Sequence, residues 1–272
     1  METMDDYTNE YYATTERLEV KLTPRIYSSS IIGTREYQQD RFGFQEKDDV
    51  LLAVVCDGMG GLKGGEQASE ISVQTLLNDF IETEVAPHSY NDFLFREAKR
   101  LDRIVYSLKD ASGKRLEAGT TIVSIVIADH FINWLSVGDS KIYFIRDNQI
   151  YDMVPQHNYK MTLDNLLNAG KITRQKYQSE IGRGEALISF LGIGNVSVIE
   201  VNRHPFRLNE GDMIVLCSDG LYKRLSDEQI LAVIQDNYFD CQRAADTLTR
   251  TAMEYSNGKS QDNTTVIIAT YR

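Results

Sequence analysis

Five aspartates in this 272-residue chain stand at the boundaries of apolar runs. Asp57, Asp139 and Asp219 each follow one, in VLLAVVCD, INWLSVGD and MIVLCSD, while Asp40 and Asp262 each precede one, in DRFGFQ and DNTTVIIATY. If the first three strands run one way and the other two run antiparallel to them, strand ends and strand starts share one edge, and all five carboxylates meet there. A single Asp after a strand is ordinarily a turn or capping residue; chance would scatter five of them. Two unit charges about 4 Å apart repel by roughly 4 kcal/mol at an effective dielectric of 20, so such a cluster requires a compensating cation. Carboxylate oxygens with no histidine or cysteine ligand among them are hard donors that favour Mg2+ or Mn2+ over zinc. A set this rich can hold two ions bridged by one carboxylate.

The elements that must position these residues read as short strands from Ile26 onward: YSSSIIG, RFGFQ and VLLAVVC, with Lys47, Asp48 and Asp49 as turn residues between the last two. Two helices follow. The first, around Glu66 to Ile81, puts Val73, Leu77 and Phe80 on one stripe; the second carries Leu94, Ala98, Leu101, Val105 and Leu108 at helical spacing. The middle returns to strands in TTIVSIVIA, INWLSVG and KIYFIRDNQIYDMV, where Asp147 and Asn148 supply a tight hairpin turn. Residues 156–190 are a polar excursion with a short helix near Leu163 to Asn168, of the kind that borders sites. The last third gives the strands VSVIEV and DMIVLC. A helix opened by a Ser226/Gln229 capping box comes next, then a helix ending near Gly258, then the strand TTVIIATY. The class is α+β with antiparallel sheets, since a parallel sheet would need a helix after nearly every strand.

Composition narrows the function. A net charge of -11 without a basic patch disfavours nucleic acid and anionic membrane as partners. Three scattered cysteines, Cys56, Cys217 and Cys241, make neither a disulfide framework nor a zinc site, and with no secretion signal or membrane span in the sequence the expected place is the cytoplasm. Residues 1–25 are expected to be an acidic arm without chemistry, and residues 26–272 a single folded domain.

The motifs GTREYQQD at 33–40, DGMGG at 57–61, GTT at 119–121, VGDSKIY at 137–143, CSDGL at 217–221 and QDNTTVI at 261–267 follow one another in the order of the metal-dependent protein phosphatases. The chain resembles this PPM, or type 2C, serine/threonine phosphatase family, in its short bacterial form, from Gly33 to Tyr271. The resemblance implies a four-layer sandwich of two antiparallel β-sheets flanked by α-helices, with a binuclear Mn2+ or Mg2+ site at one edge. It implies that Asp57 bridges two ions, that the Gly58 carbonyl completes the second, that Asp219 and Asp262 hold the first, and that Asp40 acts through water. Asp139 beside Asp219 matches the place of a third, weaker ion. Arg35 matches the ligand of the substrate phosphate, a role suited to a guanidinium fork. The implied catalytic set is therefore Arg35, Asp40, Asp57 and Asp219, and the implied reaction is direct attack by a metal-activated water on phosphoserine or phosphothreonine in proteins, opposing a Ser/Thr kinase in signalling. A monomer is expected.

Three residues depart from the family pattern. Met59 stands where many relatives carry a histidine that could protonate the leaving group, and methionine cannot donate that proton. Gln39 replaces a glutamate beside the first aspartate, and Gln156 an acidic residue before His157. None of the four histidines has metal-ligand spacing with another, and Cys56 and Cys217 are assigned to packing. The alternatives are a catalytically weak relative that serves as a phospho-dependent binding or regulatory module, and a hydrolase of small phosphoesters or nucleotides.

Overall fold

The computed structural model describes residues 23–60, 64–86 and 89–271. Strands β1 (Pro24–Ile31), β2 (Asp40–Lys47) and β3 (Val50–Gly60) come first, then helices α1 (Gly64–Glu82) and α2 (Tyr90–Tyr106). They are followed by β4 (Ala118–Thr120), β5 (Ile122–Ala128), β6 (Phe131–Val137), β7 (Lys141–Arg146) and β8 (Gln149–Asp152). Helices α3 (Tyr159–Asn168) and α4 (Arg174–Glu180) precede β9 (Glu200–Val201), β10 (Phe206–Arg207) and β11 (Met213–Cys217). The chain closes with α5 (Asp219–Tyr222), α6 (Asp227–Asp236), α7 (Cys241–Tyr255) and β12 (Thr264–Tyr271).

Alternation along β3 explains the layering. Leu52, Val54 and Cys56 point to α1 and α2, whereas Leu51, Ala53 and Val55 point to the other sheet, so both faces of an antiparallel strand are buried and it reads as one continuous apolar run. One sheet has the order β1-β12-β11-β7-β8; the other has β10-β6-β5-β3-β2, with β4 added to β3 and β9 to β6. Every pairing is antiparallel. Ile125, Ile214 and Ile267 fill the space between the sheets. On the outer face of the β1-to-β8 sheet, Val215 and Ile268 meet Ile234 of α6 and Leu248 of α7. Helices, sheet, sheet and helices make four layers.

The sequence reading of the elements holds with local corrections. In α1 the fully buried stripe is Val73, Leu76 and Phe80, with Leu77 only partly buried, and Leu108 lies past the end of α2. The helix near residue 163 begins at Tyr159, where Asn158 caps it, and α4, capped by Thr173, leaves no apolar stripe in the sequence because it has no buried residue. VSVIEV is a strand only at Glu200–Val201. The Val196 amide is spent on the buried Asp102 carboxylate, which also takes those of Gly192 and Gly194, so this stretch cannot join a ladder. The expected arm at 1–25 lies outside the described residues up to position 22. Pro24 and Arg25 belong to β1, opposite Tyr271 and Thr270.

Candidate functional site

Asp40 is the first residue of β2 and faces Asp57 directly across the ladder. Like charges in that register destabilise a sheet, and β3 carries on past Asp57 to Gly60 rather than ending there, which corrects the strand-end reading of that residue. Asp139 stands just beyond β6, Asp219 opens α5 just beyond β11, and Asp262 stands just before β12. Because β3, β6 and β11 end, and β2 and β12 begin, at the same edge, all five carboxylates are gathered there.

The electrostatics record the crowding. Burial, and then the charges of Asp219 and Asp262, push the Asp40 carboxyl up to about 7 despite a hydrogen bond from Ser218. Asp57 is raised well above the ordinary range, first by burial and then by Asp40, Asp219, Asp139 and Asp262. Asp139 is pushed up to about 6 by burial and by Asp219, with Lys223 working against both. Among the described residues, Asp40 Oδ1 and Asp219 Oδ1 are buried without a hydrogen-bond partner. As they stand, no three His, Cys, Asp or Glu side chains among the described residues close around a single point. Two of the aspartates are drawn to side-chain cations instead: Arg35 Nη2 donates to Asp262 Oδ2 at 2.6 Å, and Lys223 Nζ donates to Asp219 Oδ2 at 2.6 Å. An all-oxygen donor set with orphaned oxygens, in which Asp40, Asp57 and Asp139 are raised in pKa, fits a hard divalent cation.

Hydrogen bonds over long sequence separations hold these residues. Ser218 Oγ donates to Asp40 Oδ2 at 2.7 Å and accepts from the Thr265 amide at 2.9 Å. The Asp57 amide donates to Thr121 Oγ1 at 3.1 Å, and its carbonyl accepts from the Thr121 amide and the Thr120 hydroxyl. Asn263 fixes the loop that carries Arg35: its Oδ1 accepts from the Gln39 amide at 2.7 Å, and its Nδ2 donates to the carbonyls of Ile32 and Tyr37. Gln39, whose missing charge is the second departure, holds the DGMGG turn through its main chain, its carbonyl accepting from the Gly58 amide and from Ser69 Oγ. A Cβ at Gly58 would lie 2.2 Å from the Gly65 carbonyl oxygen, so only glycine lets α1 start against this turn.

His157, which the sequence gives no role, lies fully buried and clasps the residue before Asp139. Its amide donates to the Gly138 carbonyl at 2.8 Å and its Nδ1 accepts from the Gly138 amide at 3.2 Å, while burial lowers its pKa to about 4 and keeps the ring neutral. No sequence spacing signals that contact. Cys56 and Cys217 pack in the helix-facing cores, their thiols pushed up by burial, in keeping with a packing role. Met59 lines a groove of about 390 Å3 with Gly60, Tyr106, Phe190 and Ile193.

The molecule is a two-sheet sandwich with helices on both outer faces and, at one edge, a carboxylate cluster with a neighbouring guanidinium. The chain belongs to the protein phosphatase 2C family, whose model matches residues 29–255, and is by that membership a serine/threonine protein phosphatase in class. It is 25% identical over 237 residues to the serine/threonine phosphatase stp of Listeria welshimeri, covering 86% of this chain and 90% of that one. With the serine/threonine protein phosphatase PstP of Mycobacterium tuberculosis it is 27% identical over 227 residues, 80% of this chain and 40% of that longer one. The structure of the Streptococcus agalactiae serine/threonine phosphatase superposes with a TM-score of 0.79 at 26% identity, covering 92% of this chain and all of the other. The catalytic domain of PstP, solved with two manganese ions, has the same fold, with a TM-score of 0.71 at 23% identity over 92% and 99% of the two chains. Among the described residues no helix is long and apolar enough to cross a membrane.

Proposed function

We propose that this protein removes phosphate from phosphoserine and phosphothreonine in other proteins at a binuclear Mn2+ or Mg2+ centre, and so opposes a Ser/Thr kinase in signalling. The observation that carries the reading is the pair of buried, unpartnered oxygens, Asp40 Oδ1 and Asp219 Oδ1, within a five-aspartate edge that also presents Arg35. Asp57, crowded by Asp40, Asp219, Asp139 and Asp262, would serve both ions, the Gly58 carbonyl one of them and Asp219 with Asp262 the other, while Asp40, held by Ser218, would act through water. Bound there, the ions supply a water acidic enough to attack phosphorus near neutral pH and neutralise charge on the phosphoryl oxygens.

The chain's own residues do the positioning. Arg35, half exposed at the rim, offers its fork to two phosphoryl oxygens, and its contact with Asp262 sets the plane of that fork. Asn263 keeps the Arg35 loop against the start of β12. Because Met59 cannot donate a proton, the departing serine or threonine alkoxide takes one from water. Met59 is also the one observation that favours the second reading, a weakly active binding or regulatory module. The protein is expected to work as a monomer in the cytoplasm.

The test is phosphate release from a phosphothreonine peptide by the purified chain, with Mn2+ and after its removal by EDTA. Turnover that requires the metal supports the proposal; binding of the phosphopeptide without turnover selects the second reading. Faster turnover of nucleotides than of phosphopeptides would reject proteins as substrates.

A further inference from the structure

The geometry points to Lys223 as a built-in cation for the Asp139–Asp219 pair, whose ammonium stands where a third metal ion would otherwise sit. This rests on the metal-centre reading above and concerns only its outer flank. Asp219 opens the single turn of α5, and Lys223, four residues on, returns over the same face and donates to Asp219 Oδ2 at 2.6 Å. The same Nζ lies 3.9 Å from Asp139 Oδ2 and 3.5 Å from Glu185 Oε2, so one ammonium is faced by carboxylates from α5, from the β6–β7 connection and from the 156–190 excursion. One of the ammonium's donors is spent on Asp219 and its charge also faces Asp139 and Glu185, and an ammonium has no acceptor with which to ligate a second cation.

The contact is fixed from both sides. The Lys223 amide donates to the Asp219 carbonyl at 3.0 Å, and the neighbouring Tyr222 hydroxyl donates to the Asp139 carbonyl at 3.0 Å. His157 holds Gly138, the residue before Asp139, through two hydrogen bonds. A divalent ion between Asp139 and Asp219 would have to expel the ammonium against Coulomb repulsion, whereas the Asp40–Asp57 pair has no comparable side-chain cation among the contacts described. Lys223 is therefore a positioning residue. It neutralises the flank with a charge that no chelator removes, and limits the protein to two ions.

The experiment measures bound Mn2+ per chain by equilibrium dialysis and elemental analysis over rising free Mn2+, on the full chain. The variants are Lys223→Met, Lys223→Arg, Asp139→Asn and the double variant Lys223→Met/Asp139→Asn, with near-UV circular dichroism to check each fold. The expected result is two ions for the natural sequence, Lys223→Arg and Asp139→Asn, three for Lys223→Met, and two again for the double variant. A third ion in the natural chain that Asp139→Asn removes would overturn the assignment while leaving the binuclear centre intact, as would Lys223→Met folding normally and still holding only two. No bound Mn2+ in the natural chain would overturn the centre itself, and this assignment with it.

Discussion

At one end of the sandwich three hairpins turn in two residues each, at Asp48–Asp49, Asp129–His130 and Asp147–Asn148, all six with positive φ. At the other end stand Asp40, Asp57, Asp139, Asp219 and Asp262, and none of them sits in a two-residue hairpin turn. Four aspartates at the far end accept the left-handed conformation that a twisted two-residue turn demands, and local backbone geometry explains them fully. Aspartates at the near end have another fate: Asp40 and Asp139 are almost wholly buried, and Asp40, Asp57 and Asp139 are raised in pKa by burial and then by neighbouring aspartates, Asp219 among them in each case. The same residue type thus serves stability at one end, and at the other is crowded at a cost in stability, as the proposed metal site would require.

The largest effect expected from breaking this contrast is at Asp57. Asp57→Asn should lower Mn2+-dependent phosphatase activity by roughly 10³-fold or more, yet raise the metal-free thermal midpoint by a few degrees, about 1 kcal/mol, because a crowded charge is gone. Calorimetry with and without Mn2+ checks this, and a large loss of metal-free stability would show that Asp57 serves the core. Arg35→Ala should reduce kcat/KM for phosphopeptides by about 10²-fold while leaving Mn2+ binding unchanged, as steady-state kinetics and dialysis would report.

At the far end, Asp147→Ala should cost about 1 kcal/mol, since a Cβ-bearing residue without a local side-chain acceptor is strained at the φ of 51° found there. Its activity should stay within experimental error, and urea unfolding measures the rest. The smallest effect belongs to neither end. Between α1 and α2 the Glu97 carboxyl is pushed up to about 7 by burial and by Asp79. Its folded-state pKa lies above its ordinary value, so the folded protein holds the extra proton and stability falls as pH rises from about 4.5 to about 7. Glu97→Gln should flatten that slope in urea midpoints taken across the interval.

The contrast was largely readable in the chain. Asp147 is followed by Asn148 and at once by a renewed strand, which is a hairpin, whereas Asp57 is followed by Gly58, Met59 and Gly60 and then a helix. Strand direction alone sorts the five site aspartates onto one edge. What escaped were the residues that hold them. Asn263 reaches Gln39 across 224 positions, Ser218 reaches Asp40 across 178, and Asp102 reaches Gly192 across 90. No local pattern marks such partners, because each is an ordinary polar residue until the sandwich closes.

By itself the sequence determined which residues are apolar on both faces of β3 and which on one face of α2, and so the layers, the turns and the edge where charge collects. Those follow from periodicity and backbone preference, which act over a few residues. Only the tertiary structure decided how the charges at that edge are shared: Asp40 set against Asp57 by the register, Asp262 against Arg35, and Asp139 with Asp219 against Lys223. Coulomb energy depends on distance through space and on burial, and neither exists until segments far apart in the chain have packed.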